Sequence, residues 1–245
     1  MKLTYVYHSC CAIEFKKFTV LIDYYKDVIK EGEETGWVEK NLLKSDKPLY
    51  VLCTHSHADH FNEEVLKWDA QKKNITYIFS KEVLDTLSDN PFLKDEKITY
   101  LDKFEEYKDK QIKVKAFGST DEGGSFYIEH KRKKIFHAGD LNNWHWNEEV
   151  PFDEALAFEN SYICELELLY EQVKKVDLAM FPVDPRLGKD FMRGAEQFVN
   201  KIKTAYFMSL HFGENYELIK QFEPIAQKAK TKFLKVEHTA QTFEL

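Results

Sequence analysis

The residues best suited to chemistry in this chain lie in Cys53-Thr54-His55-Ser56-His57-Ala58-Asp59-His60-Phe61, where three imidazoles and a carboxylate fall within six positions. Imidazole nitrogens and carboxylate oxygens are donors for divalent cations, so this density predicts one or two bound metal ions. The stretch directly follows Pro48-Leu49-Tyr50-Val51-Leu52, an apolar run that reads as a buried strand. A strand end stiffens the turn behind it, whereas a His-rich surface loop seldom follows such a run.

Other chemically capable side chains also stand where apolar runs stop. Asp140 follows Lys134–Ala138 through Gly139, which lets the backbone turn sharply. His211 closes Thr204–Leu210, and Asp23 closes Phe18–Ile22. If these runs are neighbouring strands, their ends converge on one sheet edge. Asp23 reads either as a carboxylate holding a ligand imidazole N–H or as a turn residue capping Tyr24-Tyr25.

The elements that must position these groups follow from periodicity. Lys2–Tyr7, Ala12–Phe15 and Phe18–Asp23 read as antiparallel strands, and residues 75–79, 98–101, 112–117, 125–129, 134–138, 177–183, 204–211 and 232–236 as further strands. Asp27–Leu43 suggests a loop and a short helix. Asn62 is a candidate N-cap, with Glu63 and Glu64 in the first turn of an amphipathic helix. Helices are also expected over residues 81–87, 154–173, 192–203 and 216–230. His130-Lys-Arg-Lys133 reads as a solvated hairpin tip rather than a nucleic-acid patch. The pattern suits an α+β chain with two packed mixed sheets covered by helices, in one domain spanning 1–245 with no linker composition to divide it.

Composition narrows the function classes. A hydrophobic content of 43% with 31% charged residues is that of a globular chain, and the net charge of -7 argues against a nucleic-acid binder that relies on global electrostatics. Cys10, Cys11, Cys53 and Cys164 contain no Cys-x-x-Cys, which excludes a zinc ribbon. The adjacent pair does not readily bridge to itself, and nothing at the N-terminus resembles a signal peptide, so a reducing cytoplasm is expected. No apolar run approaches the roughly 20 residues that span a bilayer.

The string His-x-His-x-Asp-His at His55–His60, the Gly139-Asp140 pair and the late His211 resemble the metallo-β-lactamase superfamily of hydrolases. The phrases His137-Ala-Gly-Asp140-Leu-Asn142, Pro182-Val-Asp-Pro-Arg186 and Leu210-His-Phe212 are most similar to the branch containing ascorbate-6-phosphate lactonases. The resemblance implies a four-layer αβ/βα sandwich and two divalent ions, zinc by default for imidazole-rich ligation, with manganese or iron also suited to the carboxylates. It implies His55 and His57 on the first metal, Asp59, His60 and His211 on the second, and Asp140 bridging both. The family usually supplies one more histidine before Gly-Asp, but Gly118-Ser-Thr-Asp-Glu-Gly-Gly124 contains none. Either the first site is weak or another residue, Asp121 or His8, completes it, and of the two His8 is preferred because a third carboxylate would leave the metals less electrophilic.

The resemblance implies hydrolysis. Two ions carry four positive charges against two carboxylates and a hydroxide, leaving a net positive centre, and metal binding lowers the pKa of water toward about 7. His57 stands where oxygen-handling di-iron relatives usually carry glutamate, which favours hydrolysis over redox chemistry. Asp59 and Asp140 are the expected catalytic carboxylates. His145 is a candidate proton donor, and Asn142, Trp144, Trp146 and Arg186 are candidate contacts for a small anionic ester, lactone or phosphodiester. The aromatics could equally serve as lid packing, and Arg186 could equally pair with Asp184 or Asp190. His130 and His238 read as surface or satisfied histidines, and His137 as a support for the ligands. A nuclease or cyclic-nucleotide phosphodiesterase, and a metal-binding or sensing protein without turnover, are the competing readings. No membrane partner is expected, and a homo-oligomer is compatible with the sequence.

Overall fold

Alternating and continuous apolar runs become two seven-stranded sheets. The structure, a computed structural model, describes residues 1–87, 90 and 97–245. The chain divides into two compact units, one formed by residues 1–102 with 238–245 and the other by residues 103–237.

The first unit holds β1 (Lys2–Tyr7), β2 (Cys10–Glu14), β3 (Thr19–Ile22), β4 (Leu49–Cys53), β5 (Ile75–Ser80), β6 (Ile98–Leu101) and β14 (Gln241–Glu244), in the order β14-β1-β2-β3-β4-β5-β6. β14 to β3 pair antiparallel, and β3 to β6 run parallel. Parallel strands have both faces covered, and β4 accordingly reads Leu-Tyr-Val-Leu-Cys with all five residues buried. Apolar side chains of β4 and β5 join Trp37, Val38, Phe61 and Trp68 in one cluster, with Tyr24 edge-on to Trp68 at 4.7 Å. The helix α1 (Glu82–Leu87) follows β5.

In the second unit, β7 (Glu106–Lys108), β8 (Lys113–Phe117), β9 (Ser125–His130), β10 (Lys133–His137), β11 (Lys175–Pro182), β12 (Lys203–Leu210) and β13 (Lys232–Leu234) are ordered β13-β12-β11-β10-β9-β8-β7. β10 to β13 run parallel and β7 to β10 antiparallel. Its helices are α2 (Phe152–Gln172), α3 (Arg193–Lys201), α4 (Tyr216–Ile219) and α5 (Glu223–Lys228). α2 buries Ala155, Tyr162, Leu166 and Leu169, a helical stripe, and Tyr162 donates its hydroxyl to the Gly194 carbonyl at 2.8 Å. Phe198 of α3 stacks on Phe136 of β10 and meets Phe181 of β11 at a tilt, 4.8 Å between centroids.

Several expectations are refined. Asn62 does cap the segment after the His-rich turn, accepting from the Glu64 N–H at 3.0 Å, but Glu63–Ala70 is a 3-10 helix rather than an α-helix. The helix expected over 216–230 is broken into α4, a 3-10 turn and α5, with Pro224 in the first turn of α5, where its missing N–H costs nothing. Neither β7 nor β14 was expected, because three and four residues are too short for a period-two signal. The strands bearing the candidate ligands do not share one sheet: β4 belongs to the first, β10 and β12 to the second.

Candidate functional site

In the first unit Asp23 and the His55–His60 cluster follow the carboxyl ends of β3 and β4, adjacent parallel strands. Asp23 is fully buried at φ 53°, outside the usual range for a non-glycine residue, and it is held there by its partners. Its carboxylate accepts the Thr54 N–H at 2.8 Å and the Thr54 hydroxyl at 2.7 Å, and Oδ2 lies 2.9 Å from Nδ1 of His60. The Thr54 hydroxyl also lies 3.0 Å from Nδ1 of His55. One buried carboxylate thus orients two imidazoles, directly and through a threonine, and directs both Nε2 atoms away from it. The loop is pinned further by Glu82 of α1, which accepts the Ser56 N–H at 3.0 Å and the Ser56 hydroxyl at 2.5 Å.

The rings of His55 and His60 approach to 4.1 Å between centroids, and those of His55 and His57 to 4.7 Å. His8, in the turn between β1 and β2 at φ 57°, places Nε2 3.1 Å from Oδ2 of Asp59. Donor atoms of His8, Asp59 and His60 lie within 4.8 Å of one another. His8 therefore keeps company with Asp59 and His60, the pair that the resemblance gives to the second metal.

In the second unit Asp140, Asp184 and His211 follow the carboxyl ends of three adjacent parallel strands, β10, β11 and β12, while Asp121 lies in the loop between β8 and β9. Asp140 comes after Gly139 at φ 54°, and His211 is at φ 59° just past β12. Nε2 of His211 lies 3.5 Å from Oδ2 of Asp140, while its Nδ1 lies 2.9 Å from Oδ2 of Asp184. Burial would raise the Asp184 carboxyl, but hydrogen bonds from His211 and Arg186 outweigh it and hold its pKa below the ordinary carboxylate value. Carboxylate oxygens of Asp121 and Asp140 come within 4.8 Å of each other.

Of the candidate substrate contacts, Trp144, Trp146 and Arg186 line a cavity of about 280 Å³ with Thr120, Asp121, Asp140, Phe158 and His211. Arg186 spends its Nε and Nη2 on Asp184, at 2.8 and 2.6 Å to Oδ2, while its side chain stays 63% exposed. Asn142 and His145 do not line this cavity. Asn142 is fully buried, and its backbone N–H donates to the Thr120 hydroxyl at 3.0 Å. His145 is buried, with Nε2 3.2 Å from the Asp190 carbonyl and Nδ1 accepting the Asn147 N–H at 3.2 Å. Burial lowers its pKa, and both ring nitrogens are engaged in holding the 145–147 turn. His137 accepts the Gly139 N–H through Nδ1 at 3.1 Å, and Nδ1 of His130 and of His238 meets the carbonyl of Gln111 and of Thr239.

The donor sets fit divalent cations on chemical grounds. Each combines imidazole nitrogens with carboxylate oxygens, and each has a further carboxylate fixing an imidazole by Nδ1, which sets the tautomer and leaves Nε2 as the donor. Sequence reasoning missed Asp184 as an imidazole holder, having weighed it only as a partner of Arg186. The available signal was its position at the end of β11, equivalent to that of Asp23 at the end of β3. Phe158, one of four aromatics in an acidic helix, gave no signal.

Residues 2–211 match the family described as the beta-lactamase superfamily domain, and the chain belongs to that family. No curated protein matches the sequence significantly. Solved structures share the fold. Igni18, described as a novel metallo hydrolase from the hyperthermophilic archaeon Ignicoccus hospitalis, is 16% identical with a TM-score of 0.69 over 100% of this chain and 98% of its own. An isothiocyanate hydrolase from Delia radicum gut bacteria is 15% identical with a TM-score of 0.61, over 100% and 99%. CmlA, a diiron β-hydroxylase from Streptomyces venezuelae, is 14% identical with a TM-score of 0.69, and this chain spans 54% of it. The fold class is thus the α+β arrangement of mixed sheets and flanking helices expected from the sequence.

Proposed function

We propose that the chain is a metal-dependent hydrolase of a small anionic ester, lactone or phosphodiester. The observation that carries this reading is the carboxylate–imidazole pair built twice, Asp23 on His60 and Asp184 on His211, each at 2.9 Å and each at the ends of parallel strands. His55, His57, Asp59 and His60 from the first unit, and Asp140 and His211 from the second, are the proposed ligands of two divalent ions. Asp121, near Asp140, is the proposed replacement for the family's missing histidine, and His8 is proposed to support Asp59 and His60. Zinc is the first choice, with manganese or iron as alternatives.

Divalent ions held there would supply a Lewis acid and acidify water at neutral pH. The chain's own part is to fix the ligands, to orient a water through Asp59, and to hold the substrate's anion with Arg186, whose exposed guanidinium is anchored by Asp184. His145, with both ring nitrogens engaged, is proposed to position the turn carrying Trp144 and Trp146. A cavity of about 280 Å³ suits a small molecule better than a nucleic-acid strand. Hydrolysis is also the activity named for Igni18 and the isothiocyanate hydrolase. The phrases around Asp140, Arg186 and His211 make a lactone of the kind taken by ascorbate-6-phosphate lactonases the first substrate to try.

Among the described residues no helix is long and apolar enough to cross a membrane. A cytoplasmic site of action is proposed because all four cysteines are free. Metal content measured alongside turnover of lactones, thioesters and p-nitrophenyl phosphodiesters tests the proposal. No turnover with a full metal complement would replace it with a metal-binding or sensing role.

A further inference from the structure

Three aromatic side chains line the cavity of the second unit together with Asp140, His211 and Arg186. Trp144 stands edge-on to His211 at 5.5 Å, and Trp146 lies nearly parallel to Trp144, at 6.3 Å and 14°. The aromatic wall therefore runs outward from a proposed metal ligand. Phe158 reaches the same cavity from α2, a different element.

The wall is held rigidly. The Trp144 indole N–H donates to the Asp140 carbonyl at 2.8 Å, which ties the first ring to the backbone of a proposed ligand. Trp146 sits at φ 43°, a costly conformation for a bulky side chain, and the Glu149 and Val150 N–H groups donating to its carbonyl help to maintain it. Trp144 is 8% exposed and Trp146 is half-buried, so the second ring offers the accessible face. Packing alone does not require a half-buried indole in a strained backbone conformation beside an arginine.

We infer that this cavity is a subsite for a flat, unsaturated ring bearing the substrate's anionic group, the ring extending the Trp144–Trp146 stack against Phe158 and the anion meeting Arg186. Aromatic rings favour offset stacking at about 4.5–7 Å, the range in which Trp144 and Trp146 already stand. The volume of about 280 Å³ limits the ligand to roughly one ring and its anionic substituent. The inference rests on the hydrolase reading in one respect: bound cations must offset Asp121 and Asp140 before an anion enters.

The test compares phenylphosphonate with methylphosphonate on the metal-loaded protein, by calorimetry and by quenching of tryptophan fluorescence. Stacking predicts that phenylphosphonate binds about two- to tenfold more tightly and quenches more strongly. Trp146→Ala should bring the two affinities together, and Trp146→Phe should keep most of the difference. Phe158→Ala, which leaves the strained turn untouched, should narrow it. Equal affinities in the unaltered protein, binding of neither phosphonate, or a preference surviving both alanine variants would overturn the subsite. A parallel turnover assay separates the two readings. An aryl preference in binding without turnover of any ester leaves the subsite standing and removes the hydrolase, while turnover with no aryl preference does the reverse.

Discussion

Oδ2 of Asp184 lies 2.9 Å from Nδ1 of His211, and the opposite nitrogen of that ring lies 3.5 Å from Oδ2 of Asp140. The imidazole is thereby fixed in tautomer and in direction. Asp184→Asn keeps the shape but loses the charge that favours the Nδ1–H donor. Metal affinity should fall by about 10–100-fold, the usual consequence of removing such a support. Competition with a chromogenic chelator measures it, and an affinity equal to that of the unaltered protein would refute the role.

Asp23 stands in the same relation to His60 but is woven more deeply into the fold. Its carboxylate takes the Thr54 N–H and hydroxyl as well as the imidazole, all fully buried. Asp23→Ala strands these donors together, and each buried unsatisfied group costs about 1–3 kcal/mol. Urea unfolding should show a loss of about 3 kcal/mol or more. A loss below about 1 kcal/mol would mean that water reaches Thr54.

The contrast between these two aspartates shows how far the sequence could be read. Asp23, His55, Asp140 and His211 were visible because each follows an apolar run, and a strand end is recognisable from composition alone. The partnership of Asp184 with His211 was not visible, since 27 residues separate them and only the parallel pairing of β11 with β12 brings them together. Sheet membership was hidden for the same reason: periodicity reports that a strand exists, not which strand it pairs with. Helix breaks near Pro224 and the short strands β7 and β14 were lost because tertiary pairing, not local propensity, decides them.

His145 gives a dependence on acidity. Burial pushes its pKa down from the ordinary 6.5, against the opposing pull of the Asp190 carbonyl. Since the folded value lies below the unfolded one, the unfolded chain takes up the proton first as pH falls. Stability is full above the ordinary value and declines below it, until the folded protein is protonated as well. The urea midpoint of His145→Asn should change less between about pH 8 and about pH 5.5 than that of the unaltered protein. Identical changes would show that the burial of this imidazole carries no linkage.

Gly194 near the start of α3 is a packing contact rather than a conformational one. A Cβ placed there would lie 2.0 Å from Oδ1 of Asn142 and 2.8 Å from the Asn143 nitrogen, and the second of these is backbone. Gly194→Ala must displace either α3 or the chain after Asp140, so it should cost about 1–3 kcal/mol in thermal or urea unfolding. The neutral or stabilising effect usual for Gly→Ala within a helix would show that the two segments separate easily.

Asp121 and His8 are the alternatives for the family's missing histidine, and the proposed function gives them different roles. Asp121 approaches Asp140, whereas His8 sits 3.1 Å from Asp59 in the company of His60. If Asp121 is a ligand, Asp121→Ala should lower the number of metals retained after dialysis from two toward one, while Asp121→Glu should restore part of the loss. If His8 only supports Asp59, His8→Ala should retain both metals and reduce turnover by orienting Asp59 less well, with an effect on kcat larger than on KM. Metal content by mass spectrometry, followed by steady-state kinetics on any substrate found, reads both outcomes. Two metals retained in Asp121→Ala together with one lost in His8→Ala would reverse the assignment and return the first site to His8.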